Sequence, residues 1–171
     1  MLVSPFIGGA SVELSLAAQG VKVYGYDIFV PLVEFWQCVL KQPEALAEEV
    51  EKSFPLAKIS FYDLQKTHTA LKTKLQRAAA YYVLNRSSFS GSTLSGGMSP
   101  GHPRFTRTAI ERLHNFRNPN IVVAKADFKE ALLNHANDFA YLDPPYLIRN
   151  TLYGNKGDAH KDFDHEGLAQ I

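Results

Sequence analysis

The fold class follows from residues 2–27, which read LVSPFIGGASVELSLAAQGVKVYGYD. The apolar start predicts the end of a strand, and the glycine pair at 8–9 predicts a turn. The next residues predict a helix with Val12 and Leu16 facing inward, and the β-rich residues 21–26 predict a second strand. A strand followed by a helix and another strand is typical of a parallel sheet with helices on its faces.

Strand and helix patterns continue to alternate along the chain. Beyond this stretch, helices are predicted over 31–40, 44–54, 69–84, 107–116 and 128–135, and strands over 120–126 and 139–142. Ligands of parallel sheets bind outside the carboxyl ends of the strands. Because Asp27, Asp127 and Asp143 stand at or just beyond three predicted strand ends, we expect a shared site there.

Composition excludes several classes of protein. The chain has 171 residues, of which 46% are hydrophobic and 20% are charged, so wholesale disorder is excluded. No apolar run approaches the roughly 18 residues of a membrane span, and the first residues lack the basic segment of a signal peptide. Cys38 is the single cysteine, which leaves no disulfide framework and no cysteine zinc cluster. We expect a cytoplasmic protein of one domain or slightly more.

The net charge of +1 conceals an uneven distribution along the sequence. Residues 64–126 hold ten basic side chains and one acidic side chain, a net charge of +9. The flanking segments, 1–63 and 127–171, each hold four basic and eight acidic side chains, a net charge of −4. A basic centre of this kind favours a polyanion such as nucleic acid as partner, and the alternative is a solvated basic face without a ligand.

The glycine turn and Asp27 form a candidate ligand site. Glycines let the backbone approach a ligand, and the start of the following helix offers free N–H groups. Asp27 lies 18 residues after Gly9, a spacing that suits a carboxylate bound to two ribose hydroxyls. The alternatives are a turn that has glycines for steric reasons alone and an exposed turn aspartate.

The sharpest signal is Asp143-Pro144-Pro145-Tyr146. Two successive prolines fix φ and remove two backbone N–H groups, so the segment is stiff. The Asp143 carboxylate and the neighbouring carbonyl then form a pair of acceptors suited to an –NH2 group, and Tyr146 offers a flat face for a planar base. The structural alternative is a sharp exit from the preceding strand.

The ordered set of motifs resembles the DNA adenine methyltransferases of the Dam type, which transfer a methyl group from S-adenosylmethionine to the amino group of adenine. The matching segments are the turn at 5–11, Asp27, NRSSFSG at 85–91, Ala126-Asp127-Phe128, DPPY at 143–146, Thr151-x-Tyr153 and residues 163–169. Together they span about 165 of the 171 residues. DPPY alone is less specific, because enzymes that methylate cytosine, RNA or protein glutamine have related tetrapeptides.

The resemblance implies a role for each matching residue. The cofactor residues would be Pro5, Phe6, Gly8 and Gly9 at the methionine end, Asp27 at the ribose, and Asp127 and Phe128 at the adenine. The catalytic residues, which hold and stack the target base, would be Asp143, Pro144, Pro145 and Tyr146. The DNA-binding residues would be Asn85, Arg86, Ser90, Arg104 and Arg107. No metal is implied.

The implied fold is an α/β, Rossmann-like sheet of an S-adenosylmethionine-dependent methyltransferase, in incomplete form. Residues 1–63 and 120–171 would form the cofactor-binding and catalytic core, and residues 64–119 an inserted basic DNA-recognition subdomain. Ser4 replaces the acidic residue that the family has before the turn, and the family's upstream lysine motif and later strands have no counterpart here. We therefore expect the sequence to be the middle of a longer protein and to pack loosely when taken alone.

These inferences predict a site-specific DNA adenine methyltransferase. The target adenine would be flipped out of the duplex, and its amino nitrogen would attack the methyl group of the cofactor directly. The expected partner is double-stranded DNA, with no membrane and with a monomeric chain. Two alternatives remain open: amino methylation of cytosine or RNA, and a non-catalytic nucleic-acid-binding module that retains the fold.

Overall fold

The computed structural model describes residues 1–101, 104–146 and 163–171. Within them lie four strands, namely β1 (Leu2–Ser4), β2 (Val23–Asp27), β3 (Ile121–Lys125) and β4 (Phe139–Ala140). They form one parallel sheet in the order β3-β2-β1-β4, in which Val3 lies opposite both Tyr24 and Ala140. The predicted α/β fold with a parallel sheet is therefore confirmed.

Helices connect and cover the strands. The described residues form eight α-helices: α1 (Ser11–Ala18), α2 (Val30–Lys41), α3 (Pro43–Glu51), α4 (Lys58–Thr67), α5 (Lys74–Ser87), α6 (Arg107–His114), α7 (Phe128–Asn134) and α8 (His165–Ala169). Short 3-10 turns follow α4 at His68–Ala70 and α5 at Phe89–Gly91. In the described ranges, no helix combines the length and the apolar character that a membrane crossing requires.

The helix predicted over 69–84 is wrong at its start, because a capping box interrupts the stretch. The Thr73 hydroxyl accepts from the Gln76 amide at 3.1 Å, and the Gln76 side chain accepts from the Thr73 amide at 3.2 Å. These bonds satisfy N–H groups that are free at a helix N-terminus, so α5 begins at Lys74. The sequence pattern does not predict the separate helix α4.

The buried face of α1 also differs from the predicted one. Glu13 and Ala17 are buried, whereas Val12 is exposed and Leu16 is only half-buried. The Ser4 hydroxyl donates to Glu13 Oε1 at 2.5 Å, and both side chains are buried. Because a buried carboxylate needs a hydrogen-bond partner, this bond fixes the orientation of α1 against β1.

Helices α3 to α6 share one hydrophobic core with α2 and the sheet. Trp36, Leu46, Leu84 and Ile110 belong to this cluster. Helix α2 packs on α5, and α3 packs on both α5 and α6. The helices of the predicted DNA-recognition segment are thus built into the core that supports the sheet, and the boundaries of that segment, 64–119, stay a prediction.

Candidate active site

A cavity of about 1400 Å³ lies at the carboxyl ends of the strands. Asp27 ends β2, Asp127 follows β3 and Asp143 follows β4, and the structure brings all three together in the cavity wall. Of the other predicted site residues, the cavity is lined by Pro5, Phe6, Gly8, Gly9, Asn85, Arg86, Arg104, Phe128 and Pro145. Its lining does not include Ser90, Arg107, Pro144 and Tyr146. Thr151 and Tyr153 lie outside the described residues.

The glycine turn after β1 has a left-handed backbone and an open surface. Gly8 has a φ of 44°, a value that favours glycine. Its carbonyl accepts the indole N–H of Trp36 at 2.9 Å. A Cβ atom on Gly9 would meet no protein atom within 4 Å, so the backbone there faces free space at the cavity. A ligand can therefore lie directly against this turn.

Sequence reasoning missed Gly25, which lets the turn pack on β2. A Cβ atom on Gly25 would lie 2.1 Å from Cδ1 of Ile7, a buried residue of the turn. The Ile7 amide also donates to the Tyr26 carbonyl at 2.9 Å. The signal that could have found Gly25 is its isolated position within a strand, which indicates a close approach by another segment.

Asp27 is held between the turn and the start of α2. Its Oδ1 accepts the Phe29 amide at 2.9 Å, and the amides of Ile28 and Gly8 also donate to the carboxylate. Burial raises the pKa of Asp27, and these backbone hydrogen bonds lower it by less, so the pKa lies above its ordinary value. Burial, and then the charge of Asp27, raise the pKa of the Tyr81 phenol. The cavity wall thus has a carboxylate acceptor beside a neutral hydroxyl.

Three aromatic rings form the wall beside Asp127. The ring centroids of Phe6 and Phe128 are 5.7 Å apart, and Phe163 lies 5.5 Å from Phe6 and 5.2 Å from Phe128. Asp127 caps α7 by accepting the Lys129 amide at 2.9 Å. Phe163 is not among the predicted cofactor residues, although its motif is part of the matching set. Only the folded chain shows that it joins this wall.

The segment after β4 leaves the sheet next to β1. The Tyr141 amide donates to the Val3 carbonyl at 2.9 Å, which continues the alignment of the two strands. The Tyr146 hydroxyl donates to Asp143 Oδ1 at 2.6 Å, and the Tyr146 side chain is exposed. A hydrogen bond therefore joins the first and last residues of DPPY, Asp143 and Tyr146.

Glutamates of α2 and α3 pair with three of the ten basic side chains of the segment at 64–126. Three ion pairs join them to it, namely Arg77–Glu34 at 2.6 Å, Arg107–Glu51 at 3.1 Å and Arg117–Glu44. Arg107, a predicted DNA contact, also lies over the ring of Phe54 at 5.1 Å. These arginines are less available for phosphates than the charge count of the segment indicates.

Arg104, another predicted DNA contact, connects two parts of the backbone. Its guanidinium donates to the carbonyls of Asn85 at 3.0 Å and Ser88 at 2.6 Å. Ser90 is exposed and has a φ of 52°, in the turn that follows α5. Arg104 thus holds the C-terminal end of α5, where Asn85 lies, against the turn that contains Ser90, and the DNA contacts of Asn85 and Ser90 stay predictions.

Arg86 and Arg112 lie on neighbouring helices and both line the cavity. The Arg86 guanidinium is 5.4 Å from the centroid of the Tyr82 ring, and its Nε is buried without a hydrogen-bond partner among the described residues. The Tyr82 hydroxyl donates to the Ala109 carbonyl of α6 at 3.0 Å. Burial raises the pKa of Tyr82, and the charges of Arg86 and Arg112 lower it by less. Within the described ranges, neither arginine forms an ion pair with a carboxylate.

Comparison with known proteins supports one family. A family model with the description D12 class N6 adenine-specific DNA methyltransferase matches residues 1–171. The match covers all of the cavity residues and also the motif positions outside the described ranges. No individual curated protein matches the chain.

Proposed function

Because the chain belongs to the D12 class N6 adenine-specific DNA methyltransferase family, we propose that its cavity binds S-adenosylmethionine at the glycine turn and the target adenine at Asp143. The chain is an enzyme that methylates adenine in DNA. No feature of the described residues or of the family match favours cytosine, RNA or a non-catalytic role. The observation that carries the proposal is the position of Asp27, Asp127 and Asp143, at three strand ends, in one cavity.

The residues at the turn fit S-adenosylmethionine, which supplies a methyl group on a sulfonium centre together with a ribose and an adenine. The open face of Gly9 allows close approach to the backbone, and the rings of Phe6 and Phe128 offer an apolar wall to a planar base. The volume of about 1400 Å³ exceeds the roughly 300–1,000 Å³ usual for one small ligand. The cavity therefore has room for a nucleotide as well.

We assign Asp27 to the ribose hydroxyls and Asp127 to the amino group of the cofactor adenine. Each carboxylate already accepts a backbone amide through Oδ1, from Phe29 and from Lys129. These bonds orient the two carboxylates, and a carboxylate has further lone pairs with which to accept from a ligand. Charge-assisted bonds of this kind are stronger than bonds between neutral groups.

We assign Asp143 and the Pro144 carbonyl to the two hydrogens of the target amino group. Tyr146 donates to Asp143 Oδ1, and no donor to Oδ2 is found among the described residues, so we assign Oδ2 to the substrate. The two acceptors orient the nitrogen lone pair, and that nitrogen forms the bond to the methyl carbon while the bond from carbon to sulfur breaks. In this proposal Asp143 takes the proton that the amino group then loses. The exposed ring of Tyr146 offers a stacking face for a base that has left the duplex.

We assign phosphate contacts to Arg86 and Arg112, because both line the cavity and neither is paired with a carboxylate among the described residues. Arg107 is already paired with Glu51, and Arg104 supports the neighbouring loop. Phosphate contacts of this kind supply affinity and position the duplex rather than read its sequence. We further propose that the protein binds duplex DNA as a monomer.

The substitution Asp143→Ala tests the assignment of the target site. We expect methyl transfer to fall by roughly 10²–10⁴-fold, because the group that orients the amino nitrogen and takes its proton is lost. Affinity for S-adenosylmethionine should stay near that of the wild type. Incorporation of radiolabelled methyl groups into adenine-containing duplex DNA measures the first quantity, and calorimetric titration measures the second.

The matched control for this experiment is Asp63→Ala, which removes an exposed aspartate of α4. It should leave both quantities unchanged. Full methyl transfer by Asp143→Ala would exclude the proposed mechanism.

A further inference from the structure

We propose that Trp36 is a positioning residue that sets the geometry of the cofactor turn, an inference that rests on the proposed function. Trp36 lies on α2 and is the single tryptophan of the chain. Its side chain is 5% exposed and contributes to the cavity wall. The indole N–H donates to the carbonyl of Gly8 at 2.9 Å, across 28 positions of sequence. A helix of the core is thereby joined to the turn.

Gly8 is held through both of its backbone groups. Its carbonyl accepts from Trp36, and its amide donates to the Asp27 carboxylate. Asp27 Oδ1 in turn accepts the Phe29 amide at the start of α2. The turn, the carboxylate assigned to the ribose and α2 therefore form a closed circuit of hydrogen bonds around a residue with a φ of 44°. Without the hydrogen bond from the indole, the Gly8 carbonyl would no longer be held against α2.

The indole is itself held in place by aromatic neighbours. The ring centroids of Phe35 and Phe116 lie 5.3 Å and 6.2 Å from that of Trp36. This packing fixes the direction of the N–H, so the turn is preorganised before the cofactor binds. Because Trp36 acts through Gly8 and Asp27, its loss should reduce affinity for the cofactor rather than slow the chemical step.

Replacement of Trp36 by benzothienylalanine tests this role, since the substitute keeps the shape of the indole and lacks its N–H. The chain has no other tryptophan, so the replacement affects one position. We expect the Kd for S-adenosylhomocysteine, measured by calorimetry, to rise about 3- to 10-fold. The kcat at saturating cofactor should stay within about twofold. Trp36→Phe, the second variant, should likewise raise the Kd and leave the kcat within about twofold.

Thr73→Ala is the matched control, because it removes a capping hydrogen bond of α5 on an exposed residue away from the turn. It should lower the melting temperature and leave the Kd unchanged. Tryptophan emission of the wild type gives an independent readout, because it reports on Trp36 alone and should change saturably with the same Kd.

The outcomes separate this inference from the proposed function. If the wild type binds S-adenosylhomocysteine and the variants bind it equally well, the role of Trp36 is excluded and the proposed function stands. A lower melting temperature with an unchanged Kd excludes it too, because a merely structural bond would give that result. If the wild type does not bind the cofactor at all, the proposed function and this inference fail together.

Discussion

Asp27 is subject to opposing effects on its ionisation. Burial raises its pKa more than the backbone amides of Phe29, Gly8 and Ile28 lower it. Because the folded-state pKa lies above the unfolded-state value, the native state holds its proton more tightly than the unfolded chain does. The stability from this group is fully present below the unfolded-state pKa and is lost as the pH rises through the folded-state pKa. Cofactor binding, in contrast, needs the charged form that the fold disfavours.

The substitution Asp27→Asn should therefore separate stability from binding. We expect the free energy of unfolding of the wild type, relative to the variant, to fall as the pH rises above about 4. At neutral pH the variant should bind S-adenosylmethionine more weakly, because charge-assisted bonds worth roughly 1.5–3 kcal/mol each are lost. Urea unfolding at several pH values and calorimetric titration measure the two effects. Asp63→Asn is the exposed control, and wild-type affinity in Asp27→Asn would contradict the ribose assignment.

Strand β2 and the turn after β1 meet at a single glycine. The side chain of Ile7 fills the space above Gly25, and Ile7 is only 2% exposed. A larger residue in the strand would have to displace Ile7, and with it the backbone that leads to Gly8. The absence of a side chain at Gly25 of β2 thus determines where the turn after β1 can lie.

Gly25→Ala should destabilise the protein by about 1–3 kcal/mol, because the added methyl group overlaps Ile7 Cδ1. Ile7→Val removes that carbon atom, so the double variant should recover part of the loss. Urea unfolding of the two single variants and the double variant measures the coupling between the sites. Gly9→Ala, where a Cβ atom meets no protein atom within 4 Å, should leave stability near that of the wild type. Additive losses in the double variant would contradict the proposed overlap.

The charges of the whole molecule are arranged differently from the charges along the sequence. The segment at 64–126 has a net charge of +9, but three of its arginines pair with glutamates of α2 and α3. The cavity retains Arg86 and Arg112, which are unpaired within the described ranges. The arginines of this segment that form no ion pair among the described residues therefore lie at the cavity, where they can attract a polyanion.

This arrangement predicts which arginines contribute to the salt dependence of DNA binding. Each neutralised phosphate adds about −0.9 to the slope of log affinity against log salt concentration. Arg86→Gln and Arg112→Gln should each flatten the slope by about 0.9. Arg107→Gln, in which the lost charge is already paired with Glu51, should leave it nearly unchanged. Fluorescence anisotropy with duplex DNA at several salt concentrations measures the slopes, and a larger effect of Arg107→Gln would reverse the assignment.

The sequence by itself determined the alternation of strands and helices, the parallel sheet and the end of that sheet at which the cavity lies. These features depend on local patterns, because periodicity and turn residues act over a few neighbouring positions. The carboxyl ends of parallel strands meet at one edge, so Asp27, Asp127 and Asp143 could be expected together before any contact was known. The family motifs added the roles proposed for these residues.

Tertiary structure alone decided which side chains are paired, buried or free. The hydrogen bond from Ser4 lets Glu13 be buried, so α1 buries a different face from the predicted one. Trp36 donates to the carbonyl of Gly8, which lies 28 positions away in the sequence. Arg107 meets a glutamate 56 positions away, whereas Arg86 does not pair with one among the described residues. No local periodicity encodes such partners, because they are set by how helices pack on one another and on the sheet. The packing therefore determines which of the basic residues remain available to DNA.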